Sequence, residues 1–312
     1  MNARPVEKRA VPAAALALGV AAVSSAAILI TFARAQGLPA LSIAALRMAI
    51  AALVVAPVAL LRCRTEICAL SARDLGLGVL SGILLALHFG FWTSSLDSTS
   101  IMSSVVFVST NPLFVVAASM LLFKERLRSA TLAGIGAAVI GGVVVGLADV
   151  GQGGAATARG DLQALLGAVA ASGYLLVGRR LRTRMSLPLY VGIAYVTAAA
   201  ALLSVVGVTR LRLAGYPAEG YLWVLLLAIG PQILGHTAYN YALKYVSATF
   251  VTVTLLGEPI GATLLAIPLL SQVPTWSRIV GGICILAGIF LAARAEAGSK
   301  GAREQGKWQR SV

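Results

Sequence analysis

Residues Ser247–Leu270 read SATFVTVTLLGEPIGATLLAIPLL, about two dozen residues with a single charge, Glu258, near the middle. As a helix, a run of that length crosses a bilayer core of about 30 Å. A carboxylate at that depth is costly and is expected to face a cavity or pathway rather than lipid. Pro259 follows at once and has no N–H to donate, which leaves one helix carbonyl free. The stretch also has a counterpart. Shifting Leu96–Leu147 by 147 positions sets Leu96 on Leu243, Ser100 on Ser247, Pro112 on Pro259, Gly134 on Gly281 and Gly141 on Gly288. Asn111-Pro112 therefore corresponds to Glu258-Pro259, and the chain reads as one unit used twice.

Composition fixes the class. The 312 residues are 59% hydrophobic and 12% charged, with a mean hydropathy of +0.89, whereas soluble domains carry about 25% charged residues. This is the composition of an integral membrane protein. The net charge of +14 does not point to nucleic acid, because the basic residues sit between apolar runs and no aromatics interleave them. Cys63, Cys68 and Cys284 are too few for a disulfide framework and match no metal spacing, so no metal or cofactor is expected. The apolar run behind the basic Met1–Arg9, Val11–Ala33, exceeds the roughly 7–15 residues of a signal-peptide core and is expected as a retained first span.

Ten apolar runs follow one another: 11–33, 40–61, 75–96, 99–123, 129–148, 161–178, 188–208, 221–243, 247–270 and 276–293. The expected fold is an all-α membrane protein of ten transmembrane helices. They form two five-helix repeats, 11–148 and 161–293, joined by a flexible Gly-rich linker at 149–160 and flanked by tails 1–10 and 294–312. With the N-terminus in the cytoplasm, nineteen of the 25 Lys and Arg fall on inside segments and five outside, Arg47 lying within the second span. Both termini are thus expected inside and the linker outside. Five spans is an odd number, so the second repeat is inverted relative to the first. Loop charge agrees: LFKERLRS after the fourth run is basic, while SQVPTWSR after the ninth is nearly neutral. Conversely, GRRLRTR after the sixth run is heavily basic and ARAQG after the first is not.

These features together resemble a known family. The small-polar run with its mid-span Pro, then LLFKERL and LAGIGAAVIGGVVVG, resembles the EamA domain of the drug/metabolite transporter superfamily. ALKYVSATFVTVTLLGEPIGATLL is similar to that family's second copy, and IAALRMAIAAL resembles its second helix with the Arg, here Arg47. The resemblance covers roughly residues 11–293. It implies a ten-helix carrier of the inner (plasma) membrane, often an exporter of amino acids or related metabolites, with a central cavity between the halves. One departure is Gln272, which stands where the first copy has Glu125.

Several side chains are candidates for the transport path. Glu258 is the one acidic residue deep in a span, placed to carry a proton or meet a substrate amine; the alternative is a protonated carboxyl bonded between helices. Gln232, His236 and Asn240 share one face of the eighth span at i, i+4, i+8, with Tyr239 beside them. They are read as a cavity wall, the alternative being hydrogen-bonded glue between helices. His88 and Trp92 form a comparable pair in the third span, and Phe89, not His88, meets His236 under the 147 shift. Asn111 either bonds substrate or fills the carbonyls freed by its neighbour. Pro112 and Pro259 are candidate helix breaks and hinges. Arg47 is expected to be structural or gating, with a carboxylate clamp as the other reading.

The sequence thus reads as a secondary transporter of a small molecule, working by alternating access as one half rocks against the other, with protons coupled through Glu258. An uncoupled facilitator or channel and a lipid-precursor flippase remain as alternatives. An enzyme is not expected, for no GxSxG, HExxH or CxxC is present. The expected partners are the small-molecule substrate, the lipid bilayer and protons, with no nucleic acid; a homodimer is left open.

Overall fold

The computed structural model describes residues 7–271 apart from 100, 124–128 and 151–153, and beyond them 275–277, 279–284, 287–288 and 290–291. The basic loop after the fourth run, much of the neutral loop after the ninth and both tails lie largely outside these residues. Regular structure among the described residues is helical throughout. In order the helices are α1 (Glu7–Ser24), α2 (Ala26–Ala35), α3 (Ala40–Arg62), α4 (Arg64–Cys68), α5 (Ala72–Ser95), α6 (Ile101–Val108) and α7 (Asn111–Phe123). They continue with α8 (Ser129–Val150), α9 (Gly154–Arg182), α10 (Leu187–Val208), α11 (Ala218–Leu227), a π-helix (Ala228–His236), α12 (Thr237–Ala242), α13 (Ala248–Leu255) and α14 (Glu258–Leu270). The described residues of 276–291 are helical as well.

Seven of these segments are long and apolar enough to cross a membrane, 11–35, 40–62, 72–95, 158–182, 187–208, 218–242 and 248–270, and two shorter apolar helices cover 103–118 and 129–144. Large apolar side chains such as Leu53, Leu121, Val208 and Phe290 stand exposed on the outside, as lipid contact requires. The protein is a multi-pass membrane protein. Helix extends further into the expected linker than its glycines suggest, since α8 runs to Val150 and α9 starts at Gly154.

Three spans are interrupted. Ser25, whose hydroxyl donates to the Ala22 carbonyl at 2.8 Å, separates α1 from α2. The fourth and ninth spans break at Ser109-Thr110 and Leu256-Gly257, and adding 147 to the bounds of α6 and α7 reproduces those of α13 and α14 residue for residue. Pro112 and Pro259 thus occupy the second position of a new helix, where no N–H is needed. The carbonyls of Val108 and Leu255, four residues earlier, lack the amide that an unbroken helix would offer them. In the eighth span Gly230-Pro231 lies inside the π-helix, where the missing proline N–H and the absent glycine side chain loosen the usual ladder.

The two repeats interlock rather than sit side by side. α5 packs chiefly on α9, α3 on α10, and α1 on the π-helix and α12. Each pairing joins opposite repeats, and exchanging the repeats maps this set of contacts onto itself. Close approach is allowed by small residues: a Cβ at Gly235 would lie 2.5 Å from Val23 Cγ2 of α1. Arginines tie the span ends. Arg34 donates to the Leu96 carbonyl at 2.6 Å and pairs with Asp97, while Arg182 donates to the carbonyls of Asn240 and Met185.

Candidate functional site

A small central cavity of about 40 Å³ lies where the interrupted spans meet. His88, Trp92, Val108, Ser109 and Asn111 line it from the first repeat, and Ala171, Tyr174, Leu175, His236, Tyr239, Leu255 and Glu258 from the second, with Val23 of α1. Three lining pairs are related by the 147 shift: Trp92 with Tyr239, Val108 with Leu255, and Asn111 with Glu258. The cavity therefore straddles the axis that exchanges the repeats.

Each side chain is placed by an identifiable device. The break at Ser109-Thr110 restarts the helix at Asn111, and that at Leu256-Gly257 restarts it at Glu258, so both polar groups head a helix inside the protein. A helix N-terminus presents unpaired N–H groups and a positive dipole end, which suits polar or negative groups there. The Ser172 hydroxyl donates to the Asn111 carbonyl at 3.0 Å. His88 Nδ1 lies 3.0 Å from the Gly167 carbonyl. A carbonyl only accepts, so Nδ1 carries the proton and Nε2 of the neutral ring is the acceptor. The ring lies parallel to Trp92, 6.0 Å between centroids and 2° between planes, and 6.2 Å from the ring of His236. The two histidines offset by one residue in sequence therefore converge on one space.

Polar capacity is left over in the wall. Trp92 Nε1, Asn111 Oδ1, His236 Nδ1 and Tyr239 OH are buried with no protein partner. An unmet buried donor or acceptor costs about 1–3 kcal/mol, so four around one cavity suit a polar guest or ordered water.

Of the residues singled out in the sequence, His88, Trp92, Asn111, His236, Tyr239 and Glu258 line this cavity, whereas Gln232 and Asn240 stand one layer behind it. Asn240 Nδ2 donates to Tyr174 OH and to the His236 carbonyl, so it holds two lining residues in place. Gln232 Oε1 accepts from Arg47 Nε at 3.0 Å. Arg47 itself is buried, its guanidinium carbon 3.9 Å from the centroid of Phe89. The face predicted at i, i+4, i+8 is thus divided, because His236 and Tyr239 at i, i+3 take the cavity side. Ser109, Leu175 and Ala171 were not singled out; the first could have been found as the residue two before the Asn111-Pro112 pair. Among the described residues no group of three or more His, Cys, Asp or Glu is arranged to hold a metal ion.

Residues 12–147 and 158–294 each match the EamA-like transporter family. The chain is 26% identical over 252 residues to an uncharacterized transporter of Clostridium kluyveri, the match covering 78% of this chain and 79% of that relative. A solved crystal structure aligns with a TM-score of 0.71 at 21% identity, over 94% of this chain and 99% of the other, a likeness of fold.

Proposed function

The chain belongs to the EamA-like transporter family, and from that premise we propose that it is a secondary transporter. It exports amino acids or related small metabolites across the inner (plasma) membrane by alternating access, coupled to protons at Glu258. The supporting observation is a cavity lined from both repeats, with unpartnered polar atoms on its wall and one carboxylate at a helix start. In this reading the chain has ten transmembrane helices in two inverted five-helix repeats, the tenth from about residue 276 to 293, with both termini in the cytoplasm. The nineteen-to-five division of Lys and Arg supports that orientation. The exchange symmetry of the helix contacts supports the inversion. Transport needs no covalent step, and the protein acts as no enzyme.

Glu258 is buried at 9% exposure and has no Lys or Arg within 4.0 Å among the described residues. A carboxyl there loses hydration when ionised and is sensitive to whatever enters the cavity, the condition for exchanging a proton against a substrate. The test starts with a thermal-shift screen of the purified protein against metabolite pools. Each ligand found is then assayed in proteoliposomes, with and without an imposed pH gradient. Accumulation driven by the gradient and lost in Glu258→Gln supports the reading. Counterflow that ignores the gradient assigns a facilitator, and transbilayer movement of labelled lipid a flippase.

A further inference from the structure

Behind the cavity wall, the structure places a charge with unused donors. Arg47 is 1% exposed and Gln232 is 0% exposed. Arginine Nε only donates, so the Gln232 oxygen must face it, as the 3.0 Å contact shows, and the amide NH2 is turned elsewhere. Arg47 Nη1, Arg47 Nη2 and Gln232 Nε2 are all buried without a partner. Three donor groups and a positive charge thus share one small region with no acceptor hydrogen-bonded to them. The Phe89 ring stacks on the charge at 3.9 Å, and a ring face attracts the cation without satisfying its N–H groups; the Glu258 carboxyl and the Tyr195 hydroxyl act on it through space but do not hydrogen-bond it.

We propose that Arg47 and Gln232 form a binding site for a small monovalent anion, one aromatic ring away from the central cavity. The guanidinium fork fits a carboxylate through two parallel N–H bonds, and Gln232 Nε2 supplies a third donor beside it. The same chemistry accepts a free chloride. Phe89 stands between the site and the cavity: one side of its ring meets Arg47, and His236, which lines the cavity, lies 5.1 Å away in an edge-on arrangement. Displacement of this ring connects the two spaces. As a substrate subsite, the inference rests on the transporter reading for the source of the carboxylate; as an anion site it does not.

The test is binding rather than transport. Unfolding midpoints of the purified full chain are measured against sodium acetate and against sodium chloride. Sodium gluconate, a much bulkier carboxylate than acetate, holds ionic strength constant. A saturable rise with acetate that exceeds chloride assigns a carboxylate site, and a rise led by chloride assigns a resident halide; both support the anion site. Arg47→Gln is expected to abolish the rise. Gln232→Leu is expected to raise the half-saturating concentration several-fold, and it decides the matter if Arg47→Gln does not fold. The proposal is overturned if neither anion exceeds gluconate, if Arg47→Gln keeps the full response, or if Gln232→Leu leaves half-saturation unchanged. A saturable anion response in a protein that transports nothing would keep this site and remove the transporter reading.

Discussion

The fourth and ninth spans break at equivalent points, yet the two new helices begin on different chemistry. α7 starts on Asn111, which is neutral, whereas α14 starts on Glu258, which can take or lose a proton. Both line the same cavity, and both are followed by a proline that removes the amide for the carbonyl four residues upstream of it. Common descent of the frame explains the shared geometry. In the proposed function a cavity shared by two repeats need not work symmetrically: one half supplies an ionisable carboxyl and the other a fixed dipole.

The largest expected effect breaks that comparison at its centre. Glu258→Gln should reduce gradient-driven accumulation to background while the protein stays folded. Asn111→Leu should weaken apparent affinity only about two- to twelvefold, equivalent to about 0.5–1.5 kcal/mol for one hydrogen bond. Equal losses in a proteoliposome assay would erase the distinction between the two helix starts.

A second difference lies one turn further on, where α14 has Gly261 and α7 has Phe114. A Cβ at Gly261 would collide with the Ser24 side chain of α1. Gly261→Ala should therefore destabilise by about 1–3 kcal/mol, read as a lower unfolding midpoint, and Ser24→Gly should restore part of it. An unchanged midpoint would mean that α1 is not held against α14 in this way.

Trp92 and Tyr239 are also counterparts, and each carries a buried donor with no partner. Trp92→Phe and Tyr239→Phe should leave stability level or slightly raised, since an unmet polar group is removed, while each weakens ligand binding a few-fold in titrations. If only one matters, the asymmetry extends beyond the helix starts.

The smallest effect sits at the span ends, where Asp97 corresponds to Lys244. Partial burial raises the Asp97 carboxyl above its ordinary value of 3.8, and the neighbouring Arg34 opposes that rise. A raised carboxyl contributes stability below the ordinary value and loses it as pH climbs through the raised one. The advantage of Asp97→Asn over the wild type should therefore grow slightly from pH 3.8 upward and then level off, measured as unfolding midpoints across that window.

Much of this was legible in the sequence because the repeat has a fixed period and Pro112 and Pro259 mark both breaks. His88, Trp92, Asn111, His236, Tyr239 and Glu258, singled out by polar placement, line one cavity from both repeats. Orientation about the eighth span was not legible. Three polar residues at i, i+4, i+8 imply one face, but spacing cannot say which neighbour each will meet, and the span passes through a π segment. Gln232 turns to Arg47 and Asn240 to Tyr174. The stacking of Arg47 on Phe89 was equally hidden, because 42 positions separate them and only packing brings them together.

The interlocked packing has a mechanical consequence. α5 lies along α9 and α3 along α10 over much of their length, and side-chain bonds stitch helices of opposite repeats, such as Ser81 of α5 to Tyr190 of α10 at 2.7 Å and His88 of α5 to Gly167 of α9. A rigid swing of one repeat against the other would shear all of these contacts at once. For the alternating access proposed above, the moving bodies are therefore expected to be cut across the repeats, each built from helices of both, so that the unit that was duplicated is not the unit that moves.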